Sequence, residues 1–143
     1  MNQTAAAAEL YKQSLDIRRD LAERLKTPNA LRDLGDSLGV SGNLAQELGD
    51  YEVASELYKR ELDIWRDLAE RLNIPAALSA YSNSLSHMTA ISVLTGDFTT
   101  AMTYCSAGQE IASRLPANLG ESLIPEFERL YQEIKKRQAY DSH

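Results

Sequence analysis

The 143-residue chain holds a single cysteine, Cys105, which rules out an internal disulfide and a cysteine-based zinc site. Histidine is nearly as scarce, with only His87 and His143, so a metal site would have to rest on carboxylates. No apolar run approaches the roughly 18 residues that a bilayer-spanning helix needs. The opening MNQTAAAAELYK lacks the basic segment and apolar core of a secretory signal. Basic residues are outnumbered 15 to 21 by acidic ones, for a formal net charge of −6. Nucleic-acid binders neutralise phosphates with clustered Lys and Arg, and anionic lipid attracts the same residues, so both partners are disfavoured. The one basic cluster, Lys135-Lys136-Arg137, falls near the end of the last expected helix, where cations complement the helix dipole. No glycine-rich phosphate loop, zinc-ligand spacing or Ser-His-Asp order is present. The expectation is a cofactor-free, non-catalytic protein of a reducing, cytoplasmic compartment.

What the chain does have is one stretch carried twice. Residues 10–25 read LYKQSLDIRRDLAERL and residues 57–72 read LYKRELDIWRDLAERL, at an offset of 47. Only Gln13/Arg60, Ser14/Glu61 and Arg18/Trp65 differ. Amphipathicity alone would repeat the apolar pattern, not the identities. An internal repeat of this length in a helical sequence points to a solenoid.

In chain order, apolar residues recurring at three- and four-residue steps predict helices over 4–26, 28–48, 50–72, 75–95, 97–115 and 122–139. Pro28 and Pro75 each suit a first helical position. Gly49-Asp50 and Gly96-Asp97 pair a left-handed C-cap glycine with an N-cap aspartate, again 47 residues apart. The fifth helix is the same element one turn shorter, since its end, Ala112, Arg114 and Leu115, aligns with Ala69, Arg71 and Leu72. Residues 116–120 read as a linker, and 139–143 as a frayed tail. Acid-to-base pairs Asp20/Arg24 and Asp67/Arg71 mark solvated faces. Gly35, Gly39 and Gly42 fall inside the second helix, where each costs about 1 kcal/mol against Ala. Close helix approach or bare backbone offered to a ligand would account for them. The last helix has one apolar stripe and otherwise charged faces, as a terminal capping helix requires.

The segment Gly49-Asp50-Tyr51-Glu52-Val53-Ala54-Ser55-Glu56-Leu57-Tyr58, followed by Leu62, resembles the second half of a tetratricopeptide repeat. Gly96-Asp97-Phe98 with Ala101 repeats the pattern, with Cys105 in place of the second aromatic; Ala7 and Tyr11 put the first helix in the same register. The first-helix hallmarks fall on Leu38, Ser41 and Gly42, and then on Leu85, Met88 and Thr89. The usual unit is about 34 residues, so this longer period is similar to the long-repeat variants common in bacterial multi-repeat proteins. HEAT and armadillo repeats overlap the period and form the structural alternative. The resemblance covers 4–115 as a half repeat (4–26) and two full ones (28–72 and 75–115). The half unit at the start implies a longer array or a flank covered by another molecule.

The resemblance implies a single all-α domain, a right-handed superhelix of about six antiparallel helices whose concave groove binds a peptide or helix. Carried over position by position, the groove residues are Asp36, Gly39, Val40, Asn43, Gln46 and Glu47, then Asn83, Ser86, His87, Ala90, Val93 and Leu94. Asn43 and Asn83 would offer a peptide backbone both donor and acceptor; the bland reading makes these positions merely solvated. With Asp36 and Glu47 and no Lys or Arg there, the groove suits a neutral or basic partner and not an acidic terminus. Trp65, where the first copy has Arg18, is either an outer-face anchor for a partner or core. Cys105, at the position of Tyr58 and Tyr11, is expected to be buried. Two other functions compete: self-association through open ends, giving a homo-oligomer, and an enzyme using His87.

Overall fold

The computed structural model describes residues 3–141, which form seven helices and no strand. These are α1 (Gln3–Leu25), α2 (Pro28–Glu47), α3 (Tyr51–Leu72), α4 (Pro75–Leu94), α5 (Phe98–Arg114), α6 (Ala117–Gly120) and α7 (Leu123–Asp141). The expected breaks all appear, within a residue or two. The linker expected over 116–120 is instead a one-turn helix, its Leu119 and Gly120 amides both donating to the Pro116 carbonyl at 2.9 Å. Of the expected frayed tail, 139–141 continue α7, while 142 and 143 lie outside the described residues.

The repeated breaks have a repeated backbone. Lys26 and Asn73, 47 residues apart, both take left-handed φ (52° and 47°) after α1 and α3. Pro28 and Pro75 then open the next helices; Thr27 caps α2 by accepting from the Ala30 amide at 3.2 Å, while Ile74 supplies no side-chain cap. At the other breaks Gly49 (φ 79°) and Gly96 (φ 82°) reverse the chain, as only glycine does without strain. Asp50 and Asp97 cap the following helices, accepting from Val53 and Thr100 amides at 3.4 and 3.2 Å.

The chain divides between Arg71 and Leu72 into two compact units. In the first, α1 packs along α2. Leu15 and Ala22 of α1 meet Leu34 and Leu38 of α2, and Leu57 and Ile64 of α3 pack partly against them. Burying each such leucine contributes about 1.5–3 kcal/mol.

The α2–α3 contact settles the question of the three glycines. Gly35 lies under the Trp65 indole, Gly39 under the Glu61 carboxylate and Gly42 under the Tyr58 ring. A Cβ on them would come within 2.8, 2.5 and 2.5 Å of those groups. Close approach is therefore their role, and their helix-propensity cost is offset by large side chains seated on bare backbone. Trp65 is accordingly core and not an outer-face anchor: the indole needs the gap at Gly35, and it is buried.

In the second unit α4 packs on α5, and α7 on both. At the same offset of 47, the bulk is redistributed. Ser82, Ser86 and Thr89 of α4 stand where α2 has its glycines, and Cys105 and Gly108 of α5 stand where α3 has Tyr58 and Glu61; Ala112, which matches Ala69 once the lost turn is allowed for, falls 47 residues after Trp65. All six are buried. The Ser82 hydroxyl donates to the Gly108 carbonyl at 3.1 Å, and Ser86 and Thr89 bond their own helix at Asn83 and Leu85 carbonyls (2.6 and 2.7 Å). The bare backbone of Gly108 instead takes the Phe127 ring from α7. Phe127, Leu130 and Ile134 of α7 form its buried stripe, and Glu133 and Arg137 on its outer side pair at 2.7 Å.

Candidate functional site

An apolar concavity of the first unit was not foreseen from the sequence. It is a cleft of about 500 Å³ with Leu31, Leu34 and Leu38 of α2 as its floor. Leu15 and Ala22 of α1 form one wall and Ile64 of α3 the other. The rim is charged: Arg19, Glu23 and Lys26 on the α1 side, Arg60, Asp63, Asp67 and Arg71 on the α3 side. Several of these are already engaged. Arg71 pairs with Asp67 at 3.3 Å, Arg19 with Asp16, and Asp63 loosely with Arg66 at 3.8 Å. Glu23, Lys26 and Arg60 are exposed and form no ion pair among the described residues. The expected Asp20–Arg24 pair does not form among them either.

Cleft and rim follow from local sequence. The repeated stretch places an arginine or aspartate beside each apolar position, so a helix that buries Leu15 and Ala22 brings Arg19 and Glu23 to the edge. The size of the opening and its leucine floor fit a ligand surface: recognition sites are mostly apolar, with a few polar groups that fix orientation. No periodicity announces this. The leucines of α2 read as ordinary core, and Leu34 and Leu38 are buried; only Leu31 is left half-buried at the bottom of the opening between α1 and α3.

On the opposite side of α2, Asp36, Val40, Asn43 and Glu47 form an exposed ridge. The Asn43 carbonyl oxygen accepts from the Tyr58 hydroxyl at 2.5 Å, and Gln46 Oε1 shares that donor at 3.2 Å. Both amides thus help to fix α3, and Asn43 keeps its amide N–H donors for solvent or a ligand. Gly39 is not on this ridge; it is buried under Glu61. Burial, and then the neighbouring Asp33, push the Asp36 carboxyl above the usual range, against the pull of Arg32 and Arg18.

In the second unit Asn83 is exposed, and His87 and Ala90 are half-buried. Ser86 is buried and its hydroxyl is spent on the Asn83 carbonyl, so it does not face a ligand. Leu94 is exposed and Val93 buried. Cys105 is fully buried: burial pushes its thiol up to about 11, and the thiol donates to the Phe127 carbonyl at 3.5 Å. A thiol so held is protonated at neutral pH and is a poor nucleophile. Its counterparts differ from one another: Tyr58 is buried as expected, but Tyr11 is exposed.

Among the described residues, no group of three or more His, Cys, Asp or Glu side chains is placed to hold a metal ion. No described helix is long and apolar enough to cross a membrane. No protein-family model matches the chain, and no curated protein matches it. The resemblance to tetratricopeptide repeats therefore stands on the residues themselves.

Proposed function

We propose that the protein is a non-catalytic interaction scaffold of tetratricopeptide type that holds an amphipathic segment of a protein partner. The observation that carries this reading is the cleft of the first unit, with a leucine floor and charges of both signs along its rim. Apolar side chains of a partner would replace water over the half-buried Leu31 and Ile64, with the buried Leu34 and Leu38 behind them. Its polar flanks would meet Lys26, Arg60 and Glu23, which form no ion pair among the described residues. With a net charge of −6 on the chain, a neutral or basic partner associates faster than an acidic one.

The α2 ridge supports a second mode of contact with a basic segment. A cation placed beside Asp33 and Asp36 would relieve the repulsion that helps to raise Asp36. The two modes make different demands on mutants. Affinity capture with the immobilised chain, read by mass spectrometry, is compared for wild type, Lys26→Glu/Arg60→Glu and Asp36→Ala/Glu47→Ala. The cleft reading expects the rim variant to lose at least tenfold of the captured partner and the ridge variant to retain it. Loss confined to the ridge variant moves the site to the ridge, and equal recovery from all three contradicts both modes.

A further inference from the structure

The two copies of the repeated stretch are covered differently on the same face. On α3 that face carries α2: Tyr58 and Leu68 are 1% and 0% exposed, and Leu57 and Ile64 are half-buried against the first-unit core. On α1 the counterparts lie open, with Leu10 at 66%, Tyr11 at 41%, Ile17 at 64% and Leu21 at 37%. Leu10, Ile17 and Leu21 make one stripe, because steps of seven and four residues return to the same side of a helix, and Tyr11 flanks it about a quarter-turn round. A shallow groove of about 220 Å³ beside α1, where Leu21, Leu25 and Ala30 meet Arg18, Thr27, Asn29 and Asp33, continues from the stripe towards α2.

We propose that this face of α1 docks a helix of another polypeptide in the manner in which α3 takes α2. The covered copy specifies the chemistry of the occupant. Tyr58 needs a bare backbone opposite its ring, Gly42, and amide side chains one and four positions further on, Asn43 and Gln46, to take its hydroxyl. Tyr11 keeps the tyrosine, and its hydroxyl has no partner among the described residues. The occupant therefore carries a glycine opposite Tyr11, followed by Asn or Gln at the next and fourth positions. Where α3 has Trp65 over Gly35, α1 has Arg18, which donates to the Ser37 hydroxyl and forms no ion pair within 4 Å among the described residues. An acidic residue replaces glycine at that point of the occupant. Ser14, smaller than its counterpart Glu61, leaves room for a larger side chain opposite it. This surface shares no residue with the cleft rim and only Asp33 with the ridge mode, and neither Asp36→Ala/Glu47→Ala nor Ile17→Glu touches Asp33, so the tests stay separate.

The probe is a synthetic peptide of residues 27–49 with Gly35→Glu, labelled and titrated into the full chain by fluorescence anisotropy. Saturable binding is expected, at least tenfold tighter than with the unsubstituted peptide, because Glu meets Arg18. Gly42→Leu in the peptide, or Ile17→Glu in the chain, should each weaken it at least tenfold. Ile17 is exposed, and an unchanged helical circular dichroism signal shows that Ile17→Glu still folds. A peptide that merely displaced the chain's own α2 would favour glycine at 35, because Trp65 sits there, and would ignore Ile17→Glu; that result overturns the proposal. So does absence of binding. A concentration-dependent dimer by light scattering, abolished by Ile17→Glu, gives the face to a second copy and overturns the proposed occupant.

Discussion

The α2–α3 pair of the first unit and the α4–α5 pair of the second solve one packing problem in opposite ways. In the first, α2 is bare at Gly35, Gly39 and Gly42, and α3 supplies bulk in Tyr58, Glu61 and Trp65. In the second, α4 carries hydroxyl side chains at Ser82, Ser86 and Thr89, and α5 retreats to Cys105, Gly108 and Ala112. Side-chain volume has moved from one helix to the other. Close-packed interiors require this, since a methylene gained on one side must be given up on the other. Pro28/Pro75, Gly49/Gly96 and Asp50/Asp97 are thus kept at the helix breaks, while residues of the α2–α3 and α4–α5 contacts vary in compensating pairs.

The largest effect should come from making the second unit look like the first. Cys105→Tyr restores the tyrosine of the other copies but places it where α4 presents Thr89 and not a glycine. We expect destabilisation of about 3 kcal/mol or more by overpacking, measured by urea denaturation. Gly42→Ala in the first unit should cost about 1–3 kcal/mol, because the new methyl meets a ring of Tyr58 that is fully enclosed. A pH series sharpens the same contrast at Cys105. Its folded thiol is pushed up to about 11 by burial, above the ordinary thiol range. The protonated form therefore favours the fold, and that contribution is intact below about pH 8.5 and is lost as pH rises through 11. Stability of the wild type should fall over that window by more than that of Cys105→Ala, and parallel curves would contradict the burial account. The smallest effect belongs to Gly39→Ala. There the obstructing group is the flexible tip of the Glu61 side chain and not a ring, so the change should cost less than Gly42→Ala, with better helix propensity offsetting part of the shift.

Much of the fold was legible because its punctuation is chemical. Pro28, Pro75, Gly49, Gly96, Thr27, Asp50 and Asp97 each act through their own backbone or side chain, and their effect does not depend on distant neighbours. Lys26 and Asn73 show the limit of that logic, since nothing in a lysine announces a left-handed conformation. The one-turn α6 was missed for a related reason: Ala117 to Gly120 has no room for an apolar period. The site was less legible. Periodicity tells which face of a helix is apolar but not what covers it, so Tyr11 and Tyr58 read alike and differ in the fold. Trp65 was ambiguous until Gly35 was found beneath it. The cleft arises from the separation of two helices over a third, which no local pattern encodes, and Asn43 looked free because its partner, Tyr58, lies on another helix.

The central claim is that gap and bulk are matched across each helix pair, and a double-mutant cycle at Gly35 and Trp65 tests it most directly. Trp65→Ala alone should cost about 3–5 kcal/mol by opening a cavity, and Gly35→Leu alone should destabilise by driving a side chain into the indole. Combined, they move the volume from α3 to α2, as the second unit does, and the double variant should be more stable than either single one in urea denaturation. Additive losses in the double variant would contradict the account.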